Sequence, residues 1–239
     1  MKAKINLKNI LFLDIETVPE ASTFEGLDST KQELFEQKTK YQRKEDFTPE
    51  EFYERAGIWA EFGKIVCISV GFFDHESKGL SFRLKSFYGT DEVEILKDFK
   101  NLLDEHFNQK NHVLCAHNGK EFDFPYLARR MIINKIELPE KLNLFGKKPW
   151  EVPHLDTMEM WKFGDYKHYT SLNLLTNILG IPSPKEDIDG SQVARVYYEE
   201  NDLIRIAKYC ENDTLAVAQV YLRFKNLKIL IKGQVTRVQ

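Results

Sequence analysis

Leu11-Phe12-Leu13-Asp14-Ile15-Glu16-Thr17 is the stretch on which fold and chemistry both turn. Ile10 to Ile15 is an apolar run of strand length, and two carboxylates, two residues apart, sit at its C-terminal end. Alternate side chains of a strand share a face, so Asp14 and Glu16 lie together. Two acids at the end of a buried strand repel, and each raises the other's pKa unless a cation stands between them. A divalent metal site needs this arrangement. A strand running out into solvent carries the same Asp-x-Glu, so the rest of the chain has to decide.

The 239 residues suffice for one large domain, or for a core domain with an insertion. Hydrophobic residues make up 42% and charged residues 30%, the balance of a soluble globular protein. No apolar run approaches the roughly 20 residues of a membrane span. Met1-Lys2-Ala3-Lys4 leads into a strand and not into the apolar segment of a signal peptide, so a cytoplasmic location is expected. A net charge of −3 argues against a general coater of polyanions; metals and local patches would have to attract one. Cys67, Cys115 and Cys210 lie far apart without a CxxC spacing, and are expected to be reduced packing residues with no zinc site. The six histidines show no metal-ligand spacing.

Glu20 to about Phe62 is charged and aromatic, with helical spacing over Lys31–Tyr41 and again from Thr48. Thr48-Pro49-Glu50-Glu51 is a helix start, with Thr as N-cap, Pro next and Glu at the third position. This segment reads as a helical insertion after the first strand, either a lid over the site or cover for a sheet edge. Lys64 to Phe73 is nearly continuously apolar, as an interior strand is, and Asp74 to Gly79 is expected to turn the chain. Leu80 to Tyr88 alternates like a half-exposed strand, and Asp91 to Phe107 is an amphipathic helix. A fourth strand follows at His112–Ala116, then a helix at Phe124–Ile133 and a short strand near Val152–Asp156. Ser171–Leu179 is a helix closed by Gly180 and Pro182, and the last long helix runs from about Asp202 to Phe224. Strands first, then strand and helix in alternation, imply an α/β fold: a mixed five-stranded sheet with helices on both faces. A single domain over residues 1–239, with the insertion at about 20–62, is expected.

Two further acids stand out. Asp123 falls where the helix after the fourth strand begins, with Pro125 in its first turn; such an Asp is an N-cap, a ligand, or both. The loop leaving the C-terminal end of a strand is also where α/β sheets place ligands. In the last helix Tyr209 and Asp213 are four residues apart and so share a face. Asp213 could equally sit on the helix rim with Tyr209 half-buried.

Asp14-x-Glu16-Thr17, Asn118-x-x-x-Phe122-Asp123 and Tyr209-x-x-x-Asp213, in this order, resemble the three motifs of DEDD-type 3'–5' exonucleases. The similarity is to the proofreading exonuclease domain of family B DNA polymerases and to free-standing proteins predicted to be its relatives. It continues at Ser171-Leu172-Asn173-Leu174-Leu175 and Leu179-Gly180, spans most of Ile10 to Phe224 and is thinnest over Glu20–Phe62. Tyr209 marks the tyrosine branch. A histidine-branch chain would carry His five residues before the last Asp, where Lys208 stands.

The resemblance implies a ribonuclease H-like fold in which Asp14, Glu16, Asp123 and Asp213 gather at one end of the sheet and hold two divalent cations, Mg²⁺ or Mn²⁺. It implies that Asp14 bridges both ions, that Glu16 and Asp213 hold the one that activates water, and that Tyr209 orients that water. Asp123 then serves the second ion through water, and Thr17, Asn118 and Phe122 contact or support the terminal nucleotide. Phosphodiester hydrolysis needs an aimed hydroxide and a cation for the leaving 3' oxygen; two ions about 3.5–4 Å apart supply both. Hard cations take oxygen ligands, which suits carboxylates.

The expected activity is hydrolysis from the 3' end of single-stranded nucleic acid, DNA ahead of RNA, with replication or repair proteins as candidate partners and no membrane. A non-catalytic nucleic-acid-binding module of the same fold, and a metal phosphoesterase acting on small nucleotides, are the competing readings. Phe124 is a base-stacking or a core residue, and Asp156 a neighbour of the site or a cap. Arg129, Arg130, Lys135, Arg223, Lys225, Lys228 and Lys232 either track a phosphate backbone or form a solvated face.

Overall fold

In a computed structural model, residues 6–43, 47–76, 79–165, 169–182 and 187–238 are described. Strand β1 (Ile10–Pro19) lies inside the sheet, between β2 (Gly63–Glu76), which it meets antiparallel, and β4 (Val113–Ala116), which it meets parallel. β3 (Gly79–Tyr88) is antiparallel to β2, β5 (Leu155–Asp156) extends β4, and β6 (Val235–Val238) runs parallel to β3. The order is β5-β4-β1-β2-β3-β6.

The alternation of β1 decides what covers each face. Leu11, Leu13 and Ile15 pack with residues of α3 (Glu92–His106) and α4 (Asp123–Ile133), among them Leu96, Phe99 and Leu127. Ile10 and Phe12 turn the other way, onto Val217 and Tyr221 of α8 (Leu203–Phe224). Asp14 and Glu16 continue that second row. α8 therefore lies over the acids as well as over the core.

Among the described residues the sheet has six strands where the sequence predicts five. β6 gives no apolar signal because it is hardly buried: its ladder to β3 holds it, with Arg237 donating to Glu211 (2.7 Å) and Asn212 (3.3 Å) of α8. β2 also outruns the expected Phe73, pairing on to Glu76 opposite Gly79. Asp74–Glu76 and Gly79, where a turn is expected, are therefore strand; the rest of that expected turn, residues 77–78, lies outside the described residues.

The insertion contains α1 (Ser29–Thr39), α2 (Pro49–Phe52) and a 3-10 turn at Tyr53–Ile58. Thr48 and Glu51 form the expected capping box. The α-helix then stops after one turn, where helical spacing predicts more. The chain goes on as the tighter 3-10 turn, which brings Gly57 close against β1: a Cβ there would lie 3.1 Å from the backbone carbon of Val18. Phe24, Phe35, Phe52, Tyr53 and Phe62 give the insertion its own cluster. It sits beside the end of β1, the half of the strand that β4 does not reach.

α5 (Thr157–Lys162), α6 (Leu172–Ile178) and α7 (Val193–Arg195), the last continued by a π turn at Val196–Glu200, connect β5 to α8. α6 closes as expected at Gly180, with φ +61°. No helix among the described residues is long and apolar enough to cross a membrane.

Arg130 is not a phosphate-tracking residue. It is 6% exposed and reaches under α3 to Glu92, with Nε–Oε1 at 2.8 Å and a second bond at 2.5 Å. Its remaining nitrogen donates to the Ala60 carbonyl (2.8 Å). Glu92 also accepts from the Ile65 N–H (2.7 Å) and from Asn134 (2.9 Å). The pair is buried and hydrogen-bonded throughout.

Candidate metal centre

Asp14 and Glu16 leave β1 on the face covered by α8. Opposite Glu16 in the β1–β2 ladder stands Cys67, and from α8 comes Cys210, whose thiol donates to the Asp14 carbonyl at 3.3 Å. One carboxylate oxygen each of Asp14 and Glu16, and the Cys210 Sγ, all lie within 4.8 Å of one another. Glu16 is 7% exposed, whereas Asp14 and Asp213 keep an open side. Asp213 stands one turn beyond Cys210, and Tyr209, four residues before it, is half-buried against the cluster formed by Val18, Val66 and Cys67.

Asp123 arrives from the opposite layer. It opens α4 at 4% exposure, but the cap position belongs to Phe122. The N–H groups of Asp123 itself and of Ile15, which lies beyond Phe12, the last β1 residue paired with β4, work to lower its carboxyl pKa.

The loop before Asp123 is organised by Asp156, at the end of β5. Its Oδ1 accepts from the Asn118 N–H (3.0 Å) and its Oδ2 from the Lys120 N–H (3.1 Å), while Oδ1 also caps α5 through Met158 (2.9 Å) and Glu159 (3.1 Å). Gly119 fits because a Cβ would come to 2.5 Å from that of Ala116. Asn118 takes a left-handed φ of +64°, and its Oδ1 is buried with no hydrogen-bond partner. His117, fixed between Thr157 (2.9 Å) and the Thr170 carbonyl (2.8 Å), has its pKa lowered by burial.

The electrostatics are one-sided. Burial raises the Asp14 pKa well above the ordinary carboxylate range, and Asp213 and Asp123 push it further. Glu16 is raised by burial and then by Asp14 and Asp213. Burial lifts Asp123 to about 8, with Asp156 and Asp213 adding to it; the N–H groups of Asp123 and Ile15 offset part of the rise. Each acid is thus under the influence of the others, at the end of one strand. Carboxylates that raise one another in this way fit a divalent cation, which needs their charged form and oxygen donors.

Other expected residues are committed elsewhere. The Thr17 hydroxyl donates to the Gly57 carbonyl at 2.8 Å, as does that of Tyr126, so it ties β1 to the insertion. Phe122 is half-buried against the Tyr126 ring, centroids 5.3 Å apart, and Phe124 is fully buried core. Sequence reasoning missed that Asp156 holds the loop before Asp123 and that two thiols stand among the acids. For Asp156 the cap signature was visible, but its backbone partners lie 36 and 38 residues away.

Residues 58–237 match the model of a family described as predicted 3'-5' exonuclease related to the exonuclease domain of PolB. The matched span includes Asn118, Asp123, Tyr209 and Asp213 and begins after Asp14 and Glu16. Among solved structures, the family B DNA polymerase from the hyperthermophilic archaeon Pyrobaculum calidifontis is similar, with a TM-score of 0.56 and 16% identity. The similarity covers 90% of this chain and 24% of the polymerase. The fold is ribonuclease H-like, as the motif resemblance implies.

Proposed function

The chain belongs to the family of predicted 3'-5' exonucleases related to the exonuclease domain of PolB, and from that premise we propose that it removes nucleotides from the 3' end of single-stranded nucleic acid, DNA ahead of RNA, using two divalent cations, Mg²⁺ or Mn²⁺. The observation that carries this reading is the convergence of Asp14, Glu16, Asp123 and Asp213, each of the first three raised in pKa by burial and then further by its acidic neighbours.

Asp14, Glu16, Asp123 and Asp213 would hold the ions. When bound, such ions supply a water of lowered pKa and a counter-charge for the leaving 3' oxygen. Asp14, on which both Asp213 and Asp123 act, would bridge the ions. Tyr209 would orient the attacking water, and Asp123 would serve the second ion through water. The Asn118 Oδ1, buried without a donor, offers an acceptor to the hydroxyl of the terminal sugar. Thr17 and Phe122 support this arrangement through Gly57 and Tyr126. The working unit is one domain over residues 1–239, with residues 20–62 inserted in it.

A single-stranded DNA oligomer labelled at its 3' end, digested with Mn²⁺, tests the proposal. Release of labelled mononucleotide, abolished in Asp213→Ala, is the expected result. Internal cleavage, equal activity in the variant, or hydrolysis of a mononucleotide analogue alone would overturn it.

A further inference from the structure

Phe145-Gly146-Lys147-Lys148-Pro149-Trp150 sets two aromatic rings and two cations within six residues. Rings of this size are usually largely buried, yet Phe145 is 75% and Trp150 74% exposed. The Lys148 ammonium stands over the Trp150 ring, 5.3 Å from its centroid. The segment borders a cavity of about 820 Å³, which Phe145, Lys147 and Pro149 help to line. Ala128 and Ile132 of α4, with Leu138 and Leu144 after it, give the cavity apolar walls. Lys120, Glu121 and Phe124, which bracket Asp123 in the sequence, line it as well, and so does Asp156. The cavity is therefore continuous with the loop that brings Asp123 to the other acids.

Its charges do not balance once the internal pairs are set aside. Lys120 meets Glu159 at 2.5 Å and Lys162 meets Glu121 at 3.9 Å. Asp156 accepts four N–H groups, and Asp165, the remaining acid of the lining, has a partner of its own. Arg129 and Lys147 line the cavity and Lys148 adjoins it; among the described residues none of the three meets an acid. Apolar walls, exposed rings and unanswered cations suit a ligand with flat apolar faces on a repeating negative charge. An apolar peptide has no use for the cations, and a duplex, its bases already stacked, has none for the rings. We propose that this cleft holds single-stranded nucleic acid, with bases stacked on Phe145 and Trp150 and phosphates taken by Arg129, Lys147 and Lys148. Only the polarity of the strand rests on the proposed exonuclease function: its 3' end would lie toward Asp123.

A fluorescent single strand of ~10 nucleotides is titrated with the protein in EDTA, so that binding is read without cleavage. Phe145→Ala combined with Trp150→Ala is expected to weaken binding ~10-fold or more. Tyr41→Ala, which removes a ring 93% exposed in the insertion, should leave it unchanged. Arg129→Gln combined with Lys147→Gln should flatten the dependence of binding on salt, and a blunt duplex of the same sequence should bind more weakly than the single strand by ~10-fold. Failure of the wild type to bind, or equal affinity for the duplex, overturns the cleft as a strand site. Undiminished binding by the ring variant, folded as judged by its melting curve, does the same and points to a protein partner instead. With Mn²⁺ and a strand labelled at its 3' end, the ring variant should show its loss in KM; a loss in kcat alone overturns the cleft. If no strand is shortened under any condition, the exonuclease reading falls, while the titration in EDTA still decides the cleft.

Discussion

Two buried clusters of charge in this protein are solved in opposite ways. Under α3, Glu92 meets Arg130, and every nitrogen of that guanidinium and both oxygens of that carboxylate find partners within 2.9 Å. At the end of β1, Asp14 and Glu16 meet other acids, and the strongest influences on them raise their pKa. The first cluster carries its counter-charge in the chain. The second leaves it to be supplied from outside. A fold that can bury and satisfy an arginine has the means to neutralise a carboxylate, so the acids at β1 are informative for what they were not given.

The contrast is open to attack at several points. The largest expected effect is on activity: Asp14→Asn should slow strand shortening by ~10³-fold or more, about 4 kcal/mol of barrier, measured at saturating Mn²⁺. Next comes Arg130→Met, which strands Glu92. It should cost about 3–5 kcal/mol in a denaturant titration, equally with Mn²⁺ and with EDTA. A metal-dependent loss there would break the contrast.

Divalent metal should act only on the other cluster. At a hundred times Kd, Mn²⁺ should stabilise the wild type by about 2.7 kcal/mol; Asp14→Asn should melt alike with and without it.

A smaller effect is the pH dependence in EDTA. Folded Asp123, at about 8, keeps a proton that the unfolded chain has already released. Its contribution is complete below the ordinary carboxylate pKa and is lost as pH rises through about 8, by up to ~1.4 kcal/mol per pH unit for one proton. Melting at about pH 5 and about pH 7 should show the wild type falling more than Asp123→Asn; saturating Mg²⁺ should flatten the difference, since the ions take the deprotonated acids. Smallest, Asp14→Asn in EDTA at about pH 7 should be stabilised by ~1 kcal/mol, because burial raises the Asp14 pKa and the variant need take up no proton there on folding.

Much of the fold could be read locally. The apolar run before Asp14, the near-continuous apolar β2, the amphipathic α3 and the long α8 all announce themselves within a few residues of their own sequence. β6 could not, because it is held by a neighbour's ladder and by Arg237 rather than by burial. The α-helix expected from Thr48 gives way after one turn to a 3-10 turn whose Gly57 packs close against β1, an approach that only the tertiary structure creates. Arg130 looked like any surface arginine until α3 placed Glu92 beneath it.

By itself the sequence determined the elements, the shared face of Asp14 and Glu16, and the order of the acid motifs, since those follow from side-chain periodicity over two to four residues. Only the tertiary structure decided which charge would be paired and which left open. Asp14 lies 196 positions from Cys210 in the chain, and Arg130 lies 38 from Glu92. No local pattern encodes what stands across such a gap. Burial then makes the difference count, because a charge removed from water is governed by whatever the folded chain has set beside it.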